Sequence, residues 1–496
     1  MKYSSTRSKD HSCCSAEAIR RGLAPDGGLF LPDECPHLTT ADIERLAKMD
    51  YPARAAEILS LFLTDYSPER LAAFTHRAYG NRFPSPCAAP VVSLGDGLHV
   101  LELFRGPTSA FKDMALQMLP LLLTEALRME GISEEILILT ATSGDTGSAA
   151  MAGFADVPGT KICVFYPKGG TSVIQRLQMT TNPGKNVFAC AVNGNFDDAQ
   201  RGVKAIFSDK AYGEALLKKG IRLSSANSIN WGRLAPQIAY YFSAYAELLN
   251  AGKIRMGDEV VIDVPTGNFG NILAARYAKE MGLPVKTLIC ASNRNDVLTD
   301  FIHTGIYDRR RTFYRTESPS MDILVSSNLE RLLYLLSGND SALIAELMHR
   351  LNEDGVYTVP AEMLEKLRSE FCAFRTGSEG IRTTIASCFR EYGYVPDPHT
   401  AVALDAARQY RETTVDTTPI IVAATASPYK FPQTVLESLG KDVPADEFDM
   451  LDAVSALTGT DIPLNLSSLK GARELFSGCV EKDRMKDAVD AFAASV

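Results

Sequence analysis

Predicted strands and helices alternate through most of this chain, and no other feature constrains the fold as strongly. From His99 onward, short apolar runs are followed by longer segments with helical periodicity. This order is typical of a mostly parallel sheet that helices cover on both faces, so the sequence predicts an α/β fold. The segments behind this prediction are 161–166, 187–192, 197–207, 234–249, 285–291 and 419–424, with one long helix predicted over 328–351.

The first ninety or so residues differ from the rest and predict a separate small domain. They contain a turn-rich segment, Gly22 to Pro32, and two predicted helices, Thr40 to Met49 and Ala53 to Leu63. A Pro-punctuated stretch from Phe83 to Pro90 then marks a boundary. Because 496 residues exceed the usual single core, several domains are expected. We predict an N-terminal domain over residues 1–92, a main region over 93–440 and a C-terminal helical extension over 441–496.

Composition excludes several classes of function. The chain has 51 basic and 60 acidic residues and a net charge of −9, with no basic block, which argues against a nucleic-acid partner. The start, Met1 to Lys9, lacks a hydrophobic signal region, and no apolar run approaches a membrane span. Ten scattered cysteines are typical of reduced core thiols, and seven dispersed histidines predict no metal site. We therefore expect a cytoplasmic protein without a membrane or metal partner.

One lysine stands where a polar turn enters an apolar helix, in Gly106-Pro107-Thr108-Ser109-Ala110-Phe111-Lys112-Asp113. Thr108 or Ser109 is expected to cap a helix over Ala110 to Arg128, whose positive end would disfavour protonation of Lys112. A free, desolvated amine is the form that condenses with a carbonyl. Lys112 is thus the candidate to form a Schiff base with pyridoxal 5′-phosphate (PLP). The alternative is a solvated lysine in a first helical turn.

Two further strand-loop-helix units have loops suited to binding anions. The run 136–139 leads into Thr140-Ala141-Thr142-Ser143-Gly144-Asp145-Thr146-Gly147, and the run 260–264 leads into Pro265-Thr266-Gly267-Asn268-Phe269-Gly270-Asn271. Both loops follow the carboxyl end of a predicted buried strand, where ligands of α/β sheets bind. Glycines there let backbone N–H groups turn toward a phosphate or carboxylate. Tight turns alone would also explain each loop.

A third cluster lies at the predicted start of the helix over 234–249. Asn227, Ser228, Asn230 and Arg233 bring a hydroxyl, two amides and a guanidinium together. Arginine presents a planar fork and a helix start adds positive potential, so the cluster predicts a site for a dianion. The alternative is an ordinary helix cap with an exposed Arg233. Lys168 could add a second cation or could be solvated.

Taken in order and spacing, these motifs resemble the PLP-dependent threonine synthase family, which belongs to the fold-type II group. The resemblance extends over most of the chain before about Gly440. It rests on Tyr3-x-Ser5-Thr6-Arg7, 22–32, 101–104, 106–112, 140–147, 225–230 with Arg233, 265–270 and 397–401. It implies two mostly parallel sheet lobes covered by helices, a PLP site at their interface over 93–440, and a small N-terminal domain.

The resemblance also assigns roles by residue. Lys112 would be the Schiff-base lysine and proton shuttle, and Thr425, in the turn after a buried strand, would face the pyridine nitrogen. The cofactor phosphate would be bound through Gly267, Asn268, Phe269, Gly270 and Asn271. The substrate carboxylate would be bound by the loop of Thr142, Ser143, Gly144, Asp145 and Thr146. The phosphate of O-phospho-L-homoserine would be bound by Asn227, Ser228 and Arg233. His399 and Thr400 match a family segment for which local packing is the expected role.

The chain departs from the family pattern at two positions. Asp145 stands where many relatives have Asn near the cofactor O3′, and a carboxylate beside a phenolate is repulsive unless protonated. Arg105 replaces the family's usual His before Gly106.

The expected activity is γ-elimination of phosphate from O-phospho-L-homoserine followed by addition of water, in a monomer or homodimer. Two alternatives stay open at this point. One is a phospholyase or dehydratase that releases 2-oxobutyrate. The other is a non-catalytic binding protein on the same fold.

Overall fold

A computed structural model describes residues 1–495. These residues form sixteen strands. In chain order the strands are β1 (Tyr3–Ser5), β2 (Ser12–Cys13), β3 (Phe30–Pro32), β4 (Val91–Gly95), β5 (Leu98–Glu102), β6 (Glu135–Ala141), β7 (Thr160–Pro167), β8 (Val187–Asn193), β9 (Ile221–Ser224), β10 (Val260–Pro265), β11 (Val285–Ser292), β12 (Ile306–Asp308), β13 (Val356–Thr358), β14 (Phe371–Arg375), β15 (Ile420–Ala424) and β16 (Cys479–Glu481).

Helices connect and cover these strands. In chain order they are α1 (Ser15–Arg21), α2 (Thr40–Ala47), α3 (Tyr51–Phe62), α4 (Pro68–Thr75), α5 (Lys112–Leu116), α6 (Leu119–Met129), α7 (Asp145–Phe154), α8 (Val173–Thr180), α9 (Phe196–Ser208), α10 (Lys210–Lys218), α11 (Trp231–Asn250), α12 (Gly270–Glu280), α13 (Val297–Thr304), α14 (Leu329–Leu336), α15 (Ser341–Glu353), α16 (Ala361–Glu370), α17 (Ser378–Tyr392), α18 (Pro398–Thr414), α19 (Pro432–Ser438), α20 (Glu447–Thr458), α21 (Leu464–Ser467) and α22 (Met485–Ala494).

Two parallel sheets organise the main region. The larger has six strands in the order β14-β11-β10-β15-β5-β4, and only the edge strand β4 is antiparallel. The smaller has five parallel strands in the order β16-β8-β7-β6-β9. A separate antiparallel sheet, β2-β1-β3, lies in the N-terminal part. The predicted α/β fold with two sheet lobes and a small N-terminal domain is confirmed.

Helices pack on both faces of the larger sheet, which explains its apolar strands. Ile262 of β10 belongs to the main core, which includes side chains of α11 and α12. Its neighbour Val261 points the other way, into a second core with side chains of α17 and α18. Successive side chains of a strand face opposite sides, so a strand buried on both sides must be apolar throughout.

Two predicted helices are each divided in the structure. The helix predicted over 328–351 is two helices, α14 and α15, because Gly338 and Asn339 adopt positive φ angles of 73° and 67° and Asp340 caps the second helix. The helix predicted over 110–128 is α5 and α6, and Pro120 lies in the first turn of α6. A proline is favoured at a helix start and disfavoured inside a helix.

The C-terminal segment was predicted to be helical, but it also contains a strand. Residues 479–481 form β16, which pairs in parallel with β8 and extends the smaller sheet. At the other end of the main region, the predicted boundary at residue 92 falls inside β4, whose Val91 and Val92 pair with β5. Within residues 1–495, no helix combines the length and apolar character that crossing a membrane requires.

Candidate active site

Lys112 lies in a loop and short helix that follow β5. The predicted cap is wrong: α5 begins at Lys112, and neither Thr108 nor Ser109 caps it. Instead, the Asp113 carboxylate accepts hydrogen bonds from the Thr108 N–H and hydroxyl, both at 2.8 Å. The reason is local, because Ser109 takes a left-handed backbone conformation with φ 58° and turns the chain before the helix starts.

The Lys112 amine is buried between the lobes. Its side chain is 13 % exposed, and Nζ donates to Ser320 Oγ at 3.2 Å and lies 3.9 Å from Asp145 Oδ2. Burial lowers the pKa of Lys112 to about 8; Asp145 opposes this shift, and Lys430 and Arg233 add to it. A five-residue helix such as α5 contributes little dipole, so burial is the main cause of the lowered pKa, not the helix end that the sequence suggested.

Asp145 begins α7 at the end of the loop after β6, in the smaller lobe. Its Oδ1 lies 2.6 Å from Lys430 Nζ and accepts a hydrogen bond from Gln175 Nε2 at 2.9 Å. Burial alone would raise the pKa of Asp145, but the Lys430 and Lys112 ammonium groups outweigh it and hold that pKa below the usual range. Gly144 has φ 147°, and a Cβ there would collide with Gln175. Asp145 is therefore a fixed anion beside Lys112.

The rest of this loop is only partly available to a ligand. The Thr142 hydroxyl is buried and accepts from the Gly144 and Gly147 N–H groups, both at 2.9 Å, so it holds the loop's shape. Ser143 is exposed and Thr146 is half-buried. The role in binding the substrate carboxylate stays a prediction for all five loop residues, Thr142, Ser143, Gly144, Asp145 and Thr146. The structure adds that the Thr142 hydroxyl holds the loop.

The second predicted anion loop, Gly267 to Asn271, lies at the start of α12. The turn is made by Phe269, which has φ 60°, rather than by a glycine. Gly267 is needed for a different reason: a Cβ there would stand 2.9 Å from the Ser320 carbonyl oxygen. The same Ser320 contacts Lys112 through its hydroxyl. Ser320 therefore lies against both Gly267 of this loop and Lys112.

This loop fits a phosphate group. The first N–H groups of α12 have no partner inside the helix, as at any helix start. Asn271 is 8 % exposed and its Nδ2 has no hydrogen-bond partner within residues 1–495, while its Oδ1 accepts from Tyr240 at 2.6 Å. A buried, unpaired amide donor beside a helix N-terminus is suited to an anion.

Thr425 directly follows β15 and is 6 % exposed. Its carbonyl oxygen accepts from the Phe111 N–H at 2.8 Å, and the Ser427 N–H donates to the Ser109 carbonyl at 3.1 Å. The Thr425 segment is therefore fastened to the loop that carries Lys112. This places the predicted partner of the pyridine nitrogen beside the predicted Schiff-base lysine.

Arg233 lies in the first turn of α11 and is 4 % exposed, so the alternative of an exposed arginine is wrong. Its Nη1 donates to the Ala226 carbonyl at 2.6 Å, and its Nε has no partner among the described residues 1–495. Burial lowers the pKa of Arg233 to about 10. Of the other predicted phosphate ligands, Asn227 is exposed and Ser228 is half-buried. A buried cation with an unsatisfied donor is suited to an anionic ligand.

Sequence reasoning missed two contributors to this site, Ser320 and Lys430, and the role of a third, His399. Ser320 and Lys430 contact Lys112 and Asp145 respectively, and His399 Nε2 accepts from the Ser320 N–H at 3.1 Å. His399 thus holds Ser320 rather than only packing locally. Arg105 does not reach this group: its side chain is 46 % exposed and paired with Glu102. Lys168 is exposed.

The comparisons with known proteins agree with this geometry. Three family descriptions match: "Threonine synthase N terminus" over residues 2–79, "Pyridoxal-phosphate dependent enzyme" over 84–425, and "Threonine synthase, C-terminal" over 400–466. Threonine synthase of Pseudomonas aeruginosa is 39% identical over 436 residues, which are 88% of this chain and 90% of that protein. Human threonine synthase-like 1 is 42% identical over 86% of this chain, and the chain spans 58% of that longer protein.

Solved structures give the same result. The PLP-bound threonine synthase from Brucella melitensis shares 37% identity and superposes with a TM-score of 0.89 over 100% of both chains. The yeast threonine synthase shares 34% identity, with a TM-score of 0.89 over 100% of this chain and 99% of that one.

A buried lysine between two parallel sheets, opposite a helix N-terminus that fits a phosphate, defines a PLP-dependent enzyme of fold type II. The matches over both ends of the chain narrow this class further. The protein belongs to the threonine synthase family.

Proposed function

We propose that this protein is a threonine synthase, which converts O-phospho-L-homoserine and water into L-threonine and phosphate. The observation that carries the proposal is a largely buried lysine with a buried arginine near it: the Lys112 side chain is 13 % exposed, Arg233 is 4 % exposed, and the Arg233 charge contributes to the lowered pKa of Lys112. A reactive amine beside an unsatisfied guanidinium suits a substrate that reacts at its carbons and leaves a phosphate.

The residues present fit PLP as follows. Lys112 would hold its aldehyde carbon, the Gly267 to Asn271 loop its phosphate and Thr425 its ring nitrogen. When bound there, PLP supplies an electron sink that stabilises negative charge on the substrate carbons. A neutral hydroxyl at the ring nitrogen makes that sink weaker than an aspartate would.

Side chains of this protein would then transfer protons, bind the phosphate and exclude water. The Lys112 amine, with its pKa near 8, is suited to remove protons from Cα and Cβ and to supply the protons that Cγ and Cα gain when L-threonine forms. Arg233 would bind the γ-phosphate and stabilise the dianion as the Cγ–O bond breaks. Ser143 and Thr146 would hold the substrate carboxylate and keep stray water out until one molecule adds its hydroxyl to Cβ.

The product ratio tests this proposal. Purified holoenzyme is given O-phospho-L-homoserine, and phosphate, threonine and 2-oxobutyrate are quantified. We expect threonine and phosphate in equal amounts. Phosphate matched by 2-oxobutyrate would replace the proposal with a phospholyase, and no release of phosphate would overturn both. Lys112→Ala should abolish turnover, whereas Lys168→Ala, at an exposed lysine, should not change it.

Attachment of the cofactor is tested separately. Borohydride reduction of the holoenzyme followed by peptide mapping should label Lys112, and a label on another lysine would contradict its assignment.

We also propose a cytoplasmic location, which the ten free cysteines support because oxidising compartments favour disulfides. The division into 1–92, 93–440 and 441–496, and a monomeric or homodimeric state, remain proposals.

A further inference from the structure

Lys430 is a deeply buried cation beside the candidate active site. It follows Thr425 by five residues in the chain, and its side chain is 0% exposed. Its Nζ lies 2.6 Å from Asp145 Oδ1 and donates to the Thr108 carbonyl at 3.0 Å. Lys430 belongs to the larger lobe and Asp145 to the smaller, so the ion pair joins the two lobes next to Lys112.

The Lys430–Asp145 ion pair changes the net charge that Lys112 faces. Asp145 puts a negative charge beside the candidate Schiff-base lysine, since its other oxygen, Oδ2, is only 3.9 Å from Lys112 Nζ. An unpaired anion at that distance would stabilise the protonated, unreactive form of Lys112. With Lys430 against its outer oxygen, Asp145 presents a pair of zero net charge.

Other charged groups facing Lys112 do not replace this effect. Arg233 contributes positive charge from α11, and Asp113 contributes negative charge from α5. The carboxyl of Asp113 accepts from Thr108, and burial raises its pKa to about 6. His399 lies behind Ser320, whose N–H it accepts. Among these groups, Lys430 is the one in direct contact with Asp145.

We propose that Lys430 is a positioning residue that neutralises Asp145 and thereby keeps the Lys112 amine in its reactive, unprotonated form. The proposal rests on the proposed function insofar as Lys112 is the reacting amine.

The test is a double-mutant cycle read on the apoprotein. Lys112 reactivity is measured by the pH dependence of its acetylation, with peptide mass spectrometry to isolate that lysine. In Lys430→Met the midpoint should move up by roughly 1 pH unit or more, since an unpaired carboxylate then faces Lys112. In Asp145→Asn it should move down by a similar amount, since an unpaired Lys430 remains. The double variant should return close to wild type.

A control and a second readout separate this role from folding. Lys168→Met removes an exposed lysine and should leave the midpoint unchanged. Circular dichroism identifies the variants that fold. If Lys430→Met does not fold, the acetylation midpoints of Asp145→Asn and of the double variant still test the proposal. Equal midpoints in all folded variants would overturn the proposal. So would a double variant that keeps the downward shift of Asp145→Asn.

Activity of the holoenzyme adds an independent comparison. Lys430→Met should lose at least about tenfold in turnover at pH 7, because more of Lys112 is then protonated, and the double variant should recover part of that loss. If no variant or wild-type protein makes threonine while the acetylation midpoints follow the expected pattern, the proposed function fails and the role of Lys430 stands.

Discussion

Asn465 donates a hydrogen bond from Nδ2 to Ser109 Oγ at 2.9 Å and another to the Pro107 carbonyl at 2.8 Å. Asn465 belongs to the C-terminal segment, and Ser109 stands three residues before Lys112. Ser109 is 2 % exposed and holds a left-handed backbone conformation with φ 58°. Such a conformation costs free energy in a non-glycine residue and persists only where the surroundings impose it. The C-terminal segment therefore helps to set the position of the lysine.

Asn465→Ala should loosen this loop and weaken cofactor binding. Two hydrogen bonds are lost, at ~1 kcal/mol each, so PLP affinity should fall by up to about thirtyfold. Titration of the apoprotein with PLP, followed by absorbance, measures this change. Leu464→Ala is the matched control, because Leu464 is adjacent and 81% exposed. Equal PLP affinity in the two variants would show that the Asn465 contacts do not position Lys112.

Gly267→Ala should also weaken PLP binding, for a steric reason. The added Cβ would lie 2.9 Å from the Ser320 carbonyl oxygen and 3.3 Å from Met321 Cα, both of them backbone atoms. Forcing atoms into a packed site costs ~1–3 kcal/mol, so we expect a roughly five- to 150-fold rise in the Kd for PLP. Gly377→Ala is the control, because a Cβ there would meet nothing within 4 Å. A Gly267→Ala protein with unchanged PLP affinity would show that Ser320 moves freely.

The sequence predicted the parts of this site that lie within single motifs. Lys112, the Gly267 to Asn271 loop and Thr425 each follow a strand of the larger sheet, and parallel strands bring their carboxyl ends to one edge. The two sheets themselves followed from the alternation of apolar runs and helical segments. These predictions required only local sequence patterns and the rule that parallel strands bring their carboxyl ends to one edge of a sheet.

The contacts between distant segments could not be predicted. Ser320 is 208 residues from Lys112 and Lys430 is 322 residues from Thr108, whose carbonyl it contacts. Nothing in the local sequence of Lys430 distinguishes a buried ion pair from a solvated lysine. The strand β16 has three residues and pairs only because the C-terminal segment returns to β8. By contrast, Gly338-Asn339-Asp340 was a visible turn signal inside the long predicted helix.

Burial of Lys112 should make the free energy of unfolding of the apoprotein depend on pH. The pKa of Lys112 is about 8 in the folded state against 10.5 in the unfolded state. Between these values the unfolded chain binds more protons, so this group makes the folded state more stable as pH rises from 8 to 10.5. Below pH 8, Lys112 destabilises the apoprotein by up to about 3 kcal/mol.

Lys112→Met should therefore stabilise the apoprotein at pH 7, and the gain should shrink as pH rises toward 10.5. Urea unfolding of both proteins between pH 6 and 10.5 measures the difference. In Lys168→Met, which lacks an exposed lysine instead, the difference from wild type should stay near zero at every pH. A gain for Lys112→Met that is constant with pH would mean that packing, not the buried amine, is its cause.

Arg233→Ala should reduce activity far more with O-phospho-L-homoserine than with a substrate that lacks phosphate. A charge-assisted contact to a dianion contributes ~1.5–3 kcal/mol, which corresponds to roughly ten- to 150-fold in kcat/KM. Deamination of L-serine or L-threonine, measured as the 2-oxo acid, should fall by only a few-fold. Arg233→Lys should recover part of the loss, because an ammonium lacks the planar fork. Arg128→Ala, at a side chain 65% exposed, is the control and should retain wild-type kinetics with both substrates.

The absorbance of bound PLP separates substrate binding from a structural role of Arg233. Its Nη1 donates to the Ala226 carbonyl, so the substitution also removes one internal hydrogen bond. The cofactor phosphate is assigned to a different helix start, at Gly267 to Asn271, and PLP occupancy should therefore be unchanged in Arg233→Ala. Loss of PLP, or equal losses with phosphorylated and unphosphorylated substrates, would place Arg233 in the scaffold of the site and remove the main support for a phosphorylated substrate.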